Sequence, residues 1–185
     1  PGNWNEAYWQ HVDYIVDQII SRGMHPIVLP AWGNLAGGED NYFTTGEAYN
    51  YGVWLANRYR NREGILYVVG GDRNEPGDCC GIVDAIARGL KFVDNNRLIS
   101  FHSFYSTRSE SHADADWIDF SSMQTGQHVC DNSSEFSVVN QYFLYDRTMT
   151  PYRPLVNIEP RFENRQCEGV TFSQYDVRLT SYWSV

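Results

Sequence analysis

The stretch that decides the fold is "ILYVVGGDRNEPGD", residues 65–78. It opens with five consecutive apolar residues, which is typical of a central strand in a parallel sheet because both faces of such a strand are covered. After two glycines come the charged and amide residues Asp72, Arg73, Asn74 and Glu75. A buried strand that ends in carboxylates, a guanidinium and an amide indicates a functional site at the end of a sheet.

Apolar strands and amphipathic helices alternate along the rest of the chain. Helices are predicted at 6–22, 44–59, 81–93 and 132–145 and from about 171 onwards. Strands are predicted at 25–32, 65–69, 97–102, 117–124 and 153–163. Two of the helices begin with the spacing of a capping box, Thr44 with Glu47 and Asn132 with Glu135. Strands that alternate with helices in this way predict parallel βαβ units.

Two architectures are built from such units, a doubly wound sheet and a (β/α)8 TIM barrel. A doubly wound sheet gathers its chemistry at one switch point, usually with a glycine-rich phosphate loop, and the sequence contains no such loop. A barrel takes functional residues from the ends of several strands. Here each predicted strand ends in such residues: Trp32 with Asn34, Asp72 with Arg73 and Asn74, His102, Gln124, and Glu159 with Arg161.

We therefore predict an α/β chain that forms part of a (β/α)8 barrel. Five βα units fit into residues 1–185 as a single domain, and they correspond to strands three to seven. Because a whole barrel needs about 250 residues, we expect the chain to be a fragment of a longer catalytic domain.

Composition narrows the class of partner. The net charge is −9, from 23 acidic and 14 basic residues, which argues against nucleic acid because phosphates require clustered Lys and Arg. No apolar run is long enough to cross a bilayer. Six Trp and 13 Tyr favour a carbohydrate partner, since aromatic rings stack on sugar faces, although most aromatic residues belong to the core of a protein. We expect a secreted or periplasmic location, with the export signal upstream of residue 1.

The four cysteines are Cys79, Cys80, Cys130 and Cys167. They form no CxxC pair, and no histidine stands at zinc-finger spacing, so a structural zinc site is not predicted. In an oxidising compartment one or two disulfides across the loops are expected, with Cys130 and Cys167 available as partners for the adjacent pair. In a reducing compartment the same residues are free thiols.

Two carboxylates at strand ends, Asp72 and Glu159, meet the needs of glycoside hydrolysis. One carboxyl group must protonate the leaving oxygen, and the second must attack the anomeric carbon or activate water. Glu159 follows an apolar strand, and Arg161 would favour its ionised form if the two side chains meet. The alternative is structural: Asp72 with Arg73, and Glu159 with Arg161, would then be ion pairs that hold loops.

Further residues at the same strand ends are predicted to bind substrate. They are Trp32, Arg73, Asn74, His102, Gln124, His128 and Arg161. Trp32 is either a stacking platform for a sugar ring or a core residue, and His102 is either a donor to a sugar hydroxyl or a packed histidine. No metal ligand set and no organic cofactor are predicted.

Six motifs together resemble a known family, the apiosidase-like (β/α)8 domains. They are LPAWG (29–33), VVGGDRN (68–74), ISFHS (99–103), DFSSMQTGQH (119–128), NIEPRFE (157–163) and YDVRLTSYWSV (175–185). The family includes glycoside hydrolases that act on apiose in pectic rhamnogalacturonan II. The resemblance implies that Asp72 and Glu159 are the catalytic carboxylates and that strands one, two and eight lie outside this chain. In place of the family's usual QSGH, this sequence has QTGQH, with Gln127 inserted before His128.

These observations predict a glycoside hydrolase that cleaves O-glycosidic bonds in plant or microbial polysaccharide and retains the anomeric configuration. Two alternatives stay open. The first is a degenerate barrel that binds carbohydrate without hydrolysing it. The second is a hydrolase similar to the clan A cellulases and mannanases, in which Glu75 of the Asn74-Glu75-Pro76 triplet is the acid/base.

Overall fold

The computed structural model describes residues 4–35, 42–72, 80–104, 107–108, 112, 114–126 and 128–184. The chain divides into two compact units, one of Pro1–Gly70 with Pro76–Ile99 and one of Gly71–Glu75 with Ser100–Val185. The single domain predicted for residues 1–185 stays a prediction. No helix in the described part of the chain has the length and the apolar content needed to cross a bilayer.

Three helices and two strands lie in the described residues of the first unit. In chain order these are α1 (Glu6–Ile20), β1 (Ile27–Val28), α2 (Thr45–Tyr59), β2 (Leu66–Gly70) and α3 (Cys80–Val93). β1 and β2 pair in parallel, with Ile27 opposite Leu66, as the strand-helix alternation predicts. The strand predicted at 25–32 is therefore much shorter, whereas the strand at 65–69 is confirmed within one residue.

Two features hold the helices of the first unit together. The Arg58 guanidinium, on α2, donates to Asp13 and Glu6 of α1 at 2.8 and 2.7 Å. Gly52 of α2 and Gly89 of α3 lack side chains, so these two helices approach each other closely. A Cβ at Gly52 would collide with the Ile86 carbonyl oxygen. The capping box of α2 is confirmed, since the Thr44 side chain and the Glu47 side chain each accept a backbone hydrogen bond from the other residue.

The second unit contains the remaining elements. They are β3 (Ile99–His102), β4 (Thr107–Arg108), β5 (Ser121–Gln124), α4 (Asn132–Asp146), β6 (Leu155–Glu159), β7 (Gln166–Cys167), β8 (Val170–Thr171) and α5 (Gln174–Trp183). The second unit contains β3 from Ser100 onwards. β5 pairs in parallel with β6 and antiparallel with β4, a short strand that the sequence did not predict. The hydroxyl of Ser100 donates to the Phe120 carbonyl at 2.6 Å, and the Ser122 hydroxyl donates to the Phe101 carbonyl. These bonds tie β3 to β5.

The N-terminus of α4 corrects one prediction. The capping residue is Asp131, whose carboxylate accepts from the Ser134 N–H at 2.8 Å, and not Asn132. The capping box predicted for Asn132 and Glu135 is wrong because the Glu135 side chain is completely buried and bonds to Thr125. Hydrogen bonds from Ser133 and Ser134 hold the pKa of Asp131 well below its usual range.

A disulfide joins Cys130 to Cys167, with Cα atoms 5.3 Å apart. The bond closes the segment before α4 onto the β7–β8 hairpin. Cys130 and Cys167 therefore pair with each other and are not the partners of Cys79 and Cys80. Cys79 and the side chain of Cys80 lie outside the described part of the structure.

Candidate active site

Three side chains of the second unit, each at or directly after the end of a strand, meet at one point. Asp72 follows β2, His102 ends β3 and Glu159 ends β6. One atom from each residue, a ring nitrogen of His102 or a carboxylate oxygen of Asp72 and Glu159, lies within 4.8 Å of the corresponding atoms of the other two. The meeting of Asp72 with Glu159, expected from their places at strand ends, is therefore present in the structure.

The backbone turns sharply before Asp72. Gly71 has φ 126°, a value that favours glycine, and Asp72 itself lies in the left-handed region with φ 47°. The Gly71 N–H donates to the His102 carbonyl at 3.0 Å, which anchors the turn to the end of β3. A non-glycine residue in this region is uncommon and is concentrated at functional sites. The turn thus fixes the position of the Asp72 carboxylate.

Glu159 is held by its neighbour on the adjacent strand. The Gln124 side-chain Nε2 donates to Glu159 Oε2 at 2.9 Å. A bulge in the pairing of β5 with β6 sets Met123 opposite Asn157 but Gln124 opposite Glu159, so that Ile158 is the extra residue. Bulges commonly re-aim side chains next to active sites. Here the bulge brings Gln124 and Glu159 side by side.

His102 contacts the same oxygen of Glu159. Its Nε2 lies 3.0 Å from Glu159 Oε2, and its Nδ1 lies 3.0 Å from the Ser103 carbonyl oxygen. Burial is the largest influence on the pKa of His102 and lowers it. The hydrogen bonds to Glu159 and Ser103, with the negative charges of Glu159 and Asp72, outweigh burial and raise the pKa above the ordinary histidine value. The protonated imidazole is therefore favoured at this site.

The same three residues are the group in the described part of the chain whose donor atoms are close enough to share a metal ion. The 3.0 Å approach of His102 to Glu159 is also the length of an ordinary charged hydrogen bond, and this bond accounts for the closeness of these two residues. We therefore assign no metal, and that absence stays a prediction.

Arg161 does not reach Glu159 in the way that the sequence predicted. Its guanidinium is 1% exposed and donates to the carbonyls of Val129 and Asp131 and to the Asn132 side chain. It also lies 4.5 Å from the centre of the Phe172 ring. Because these donors are occupied within the protein, the assignment of Arg161 to substrate binding is corrected: Arg161 supports the loop that leads into α4.

The other predicted binding residues lie in different places. Gln124 is 2% exposed and bonds to Glu159, so its amide positions the carboxylate. His128 is exposed, and its role as a sugar donor stays a prediction. Trp32 belongs to the first unit and is 40% exposed. Arg73 and Asn74 lie outside the described residues, as does Glu75, the alternative acid/base.

A buried polar network next to Gln124 was not predicted. The Thr125 hydroxyl donates to the carboxyl group of Glu135 at 2.9 Å and accepts from the Asn157 amide at 2.9 Å. Burial raises the pKa of Glu135, which outweighs the lowering effect of its hydrogen bonds. Asn157 also donates to the Ser184 hydroxyl at 3.0 Å and so connects β6 to α5. Asn157 and Glu159 are two polar residues that alternate along β6, and this sequence pattern could have located the network.

Comparisons with known proteins found one family model and several solved structures that are similar to this chain. A family model described as the apiosidase-like catalytic domain matches residues 1–185. A crystal structure of a glycoside hydrolase family 5 protein from Bacteroides vulgatus ATCC 8482 is 28% identical with a TM-score of 0.84, and the match covers 96% of this chain and 40% of that chain. A second structure, described as a glycoside hydrolase, is 26% identical with a TM-score of 0.81 over 96% of this chain and 43% of that chain.

A more distant structure shows the fold alone. The catalytic domain of Thermobifida fusca endoglucanase Cel5A (E5) is 10% identical with a TM-score of 0.59, over 97% of this chain and 61% of that chain. These relatives are (β/α)8 barrel proteins, and the chain shares their α/β fold with parallel strands. The search of the curated proteins found no match. The chain spans less than half the length of the two more similar structures.

Proposed function

Because the chain belongs to the apiosidase-like catalytic-domain family, we propose that it carries the catalytic carboxylates of a glycoside hydrolase that cleaves O-glycosidic bonds. The observation that carries this proposal is the meeting of Asp72 and Glu159, whose carboxylate oxygens lie within 4.8 Å of each other at two strand ends. Two carboxyl groups at this spacing are the minimum that hydrolysis of a glycoside requires.

The surroundings of the two carboxylates favour different roles. Glu159 accepts a hydrogen bond from Gln124 and faces the imidazole of His102, so its carboxylate is held in one place, as a nucleophile requires. Asp72 offers a carboxylate oxygen within 4.8 Å of the Glu159 ligand atom, and a carboxyl group at this place can protonate a leaving oxygen. We therefore assign Asp72 as the general acid and Glu159 as the nucleophile.

The reaction then proceeds in two displacements. Glu159 forms a bond to the anomeric carbon while the bond to the leaving oxygen breaks, and that oxygen takes the proton of Asp72. The ionised Asp72 next takes a proton from water, which attacks the same carbon and returns the bonding electrons to Glu159. In retaining enzymes the carboxyl groups are about 5–5.5 Å apart, against roughly 6.5–9.5 Å in inverting enzymes. One oxygen of Asp72 lies within 4.8 Å of one oxygen of Glu159, a proximity that is compatible with retention.

The substrate class follows from charge and family. An excess of nine negative charges disfavours strongly anionic ligands and is compatible with neutral or weakly charged sugars. We propose plant or microbial polysaccharide as the substrate, with apiose-containing pectin as the first candidate because of the family. The Cys130–Cys167 disulfide supports a secreted or periplasmic location, since such bonds persist in oxidising compartments.

We also propose that the chain supplies strands three to seven of a barrel whose other strands are encoded elsewhere in the same protein. The coverage of 40% and 43% of the two more similar structures supports this. The test of function therefore uses the full-length protein, screened against a panel of plant cell-wall oligosaccharides. We expect release of a sugar that Glu159→Gln abolishes and that Glu163→Gln, an exposed glutamate in the same motif, leaves unchanged. Equal activity of wild type and Glu159→Gln would contradict the proposal.

A further inference from the structure

We propose that His102 and Gln124 are positioning residues that hold one carboxylate oxygen of Glu159, Oε2, so that the other oxygen, Oε1, is the atom that attacks the sugar. This inference rests on the proposed function and names the reacting atom within it. The two residues were predicted from the sequence to bind substrate, and the structure assigns them a different task.

The geometry makes the two oxygens of Glu159 inequivalent. Gln124 Nε2 lies 2.9 Å from Oε2 and His102 Nε2 lies 3.0 Å from the same atom. Among the residues that the structure describes, none forms a hydrogen bond or ion pair with Oε1. An oxygen with two strong donors has its lone pairs engaged, whereas the other oxygen is available to a substrate.

The hydrogens on His102 follow from its two neighbours. The Ser103 carbonyl can only accept a hydrogen bond, so Nδ1, 3.0 Å away, carries a hydrogen. Nε2 faces the Glu159 Oε2 atom, a carboxylate oxygen that accepts, and so carries a second hydrogen. His102 therefore donates to the Ser103 carbonyl from Nδ1 and to Oε2 of Glu159 from Nε2.

Burial and strand pairing fix both donors in place. His102 is 6% exposed and Gln124 is 2% exposed, so neither side chain has room to swing toward solvent. Gln124 lies opposite Glu159 in the pairing of β5 with β6. β3, which carries His102, is tied to β5 through the Ser122 hydroxyl. A nucleophile held from two rigid strands loses little further freedom when the substrate binds.

The same two donors serve both displacements. When Oε1 bonds to the anomeric carbon, Oε2 becomes the carbonyl oxygen of the glycosyl ester and keeps its hydrogen bonds. When water attacks the anomeric carbon, the bond from that carbon to Oε1 breaks, and the negative charge that returns to Glu159 is stabilised by His102 and Gln124. Their contribution therefore does not depend on the leaving group, in contrast to that of a general acid.

The test compares His102→Gln and Gln124→Glu in the full-length enzyme with His11→Gln and Gln10→Glu, which make the same changes at exposed positions of α1. We expect each site variant to lower kcat about 10- to 100-fold, equally for activated aryl glycosides and for unactivated oligosaccharides, with KM nearly unchanged. Gln124→Glu sets a second carboxylate against Glu159, so the acidic limb of the pH–rate profile should move to higher pH. The α1 variants should match the wild type.

Three results would overturn the inference: a wild-type kcat and pH profile in both site variants, losses confined to KM, or losses confined to poor leaving groups. If the variants unfold, the unmodified protein still decides, because nitrogen NMR over a pH series should show His102 titrating above the ordinary histidine pKa, and a pKa at or below that value would refute the arrangement. An inactive Glu159→Gln beside a fully active His102→Gln defeats this inference alone. A fully active Glu159→Gln defeats the proposed function.

Discussion

The imidazole Nε2 of His102 lies 3.0 Å from Oε2 of Glu159, and both residues end strands of the second unit. The two residues are far apart in sequence, and the contact forms because the Ser100 and Ser122 hydroxyls tie β3 to β5, which pairs in parallel with β6. Burial beside the Glu159 carboxylate lowers the pKa of His102, whereas the hydrogen bond to Glu159 and its negative charge raise that pKa. The predictions about charge below follow from this pair.

The first prediction concerns the pKa of His102. In the wild type, Glu159, Ser103 and Asp72 raise this pKa against the effect of burial. Replacing Glu159 by Gln removes one negative charge and leaves the burial, so the pKa of His102 should fall. Proton NMR of the ring as a function of pH measures it. An unchanged pKa in Glu159→Gln would contradict the contact.

The same pair predicts a direction for stability. The folded-state pKa of His102 is raised, so its contribution to the free energy of unfolding is fully present below the unfolded value of about 6.5. That contribution is lost as the pH rises through the folded-state pKa. Urea unfolding of wild type and His102→Gln across this window should show the difference between them shrinking at higher pH. A difference that grows with pH would contradict the sign.

The second prediction separates the general acid from the nucleophile. Asp72→Asn should slow hydrolysis of substrates with poor leaving groups by about 10²–10⁴-fold and change activated aryl glycosides far less, because a good leaving oxygen needs no proton. Asp114→Asn, an exposed aspartate of the same unit, is the matched control. The measurement is kcat/KM over a series of leaving groups.

The opposite pattern of activities would favour Glu75 as the acid/base. If Glu75→Gln were inactive while Asp72→Asn kept near-normal activity on every substrate, the acid would be Glu75 of the Asn74-Glu75-Pro76 triplet. Glu75 lies outside the described residues, so the kinetic comparison decides between the two carboxylates.

The third prediction concerns the disulfide. Cys130 and Cys167 are 37 residues apart, and the chain-entropy model assigns such a loop closure about 4 kcal/mol of stability. The double variant Cys130→Ser with Cys167→Ser should therefore unfold at lower denaturant than the wild type. Reductant should bring the wild type toward the variant, and equal midpoints under oxidising conditions would show that the bond contributes nothing.

The fourth prediction concerns the packing of α2 against α3. A Cβ at Gly52 would collide with backbone atoms of α3, so Gly52→Ala should cost about 1–3 kcal/mol of stability. Gly46→Ala, also in α2, adds a methyl group that has no atom within 4 Å and should be neutral or slightly stabilising. Thermal unfolding of the pair measures both. Equal losses in the two variants would mean that helix propensity, and not packing, decides.

Some of this site follows from local sequence and some does not. An apolar strand followed by Gly-Gly-Asp locates Asp72, and an apolar strand followed by a glutamate locates Glu159, because strand ends and carboxylates are read from neighbouring residues. The side chain of Arg161 shows what local sequence cannot predict. It stands two residues beyond Glu159, yet its guanidinium turns into the protein toward Val129 and Asp131. That choice depends on distant loops that local sequence does not reveal.

The bulge and the disulfide could not be predicted from the sequence, for similar reasons. The extra residue at Ile158, which brings Glu159 opposite Gln124, depends on the register of two strands that are far apart in sequence. Four cysteines allow three connectivities with two bonds, and only the fold brings Cys130 next to Cys167. The capping residue of α4 was misplaced by one position because Asp131 and Asn132 are both good caps.

The central claim, a retaining glycosidase with Glu159 as nucleophile and Asp72 as acid, is tested most directly by the anomer that is released first. The full-length enzyme is mixed with the cell-wall oligosaccharide that it cleaves, and proton NMR follows the anomeric signals before mutarotation. The assignment of Glu159 as the nucleophile predicts that the first product has the same anomeric configuration as the substrate. A first product of inverted configuration would contradict the account.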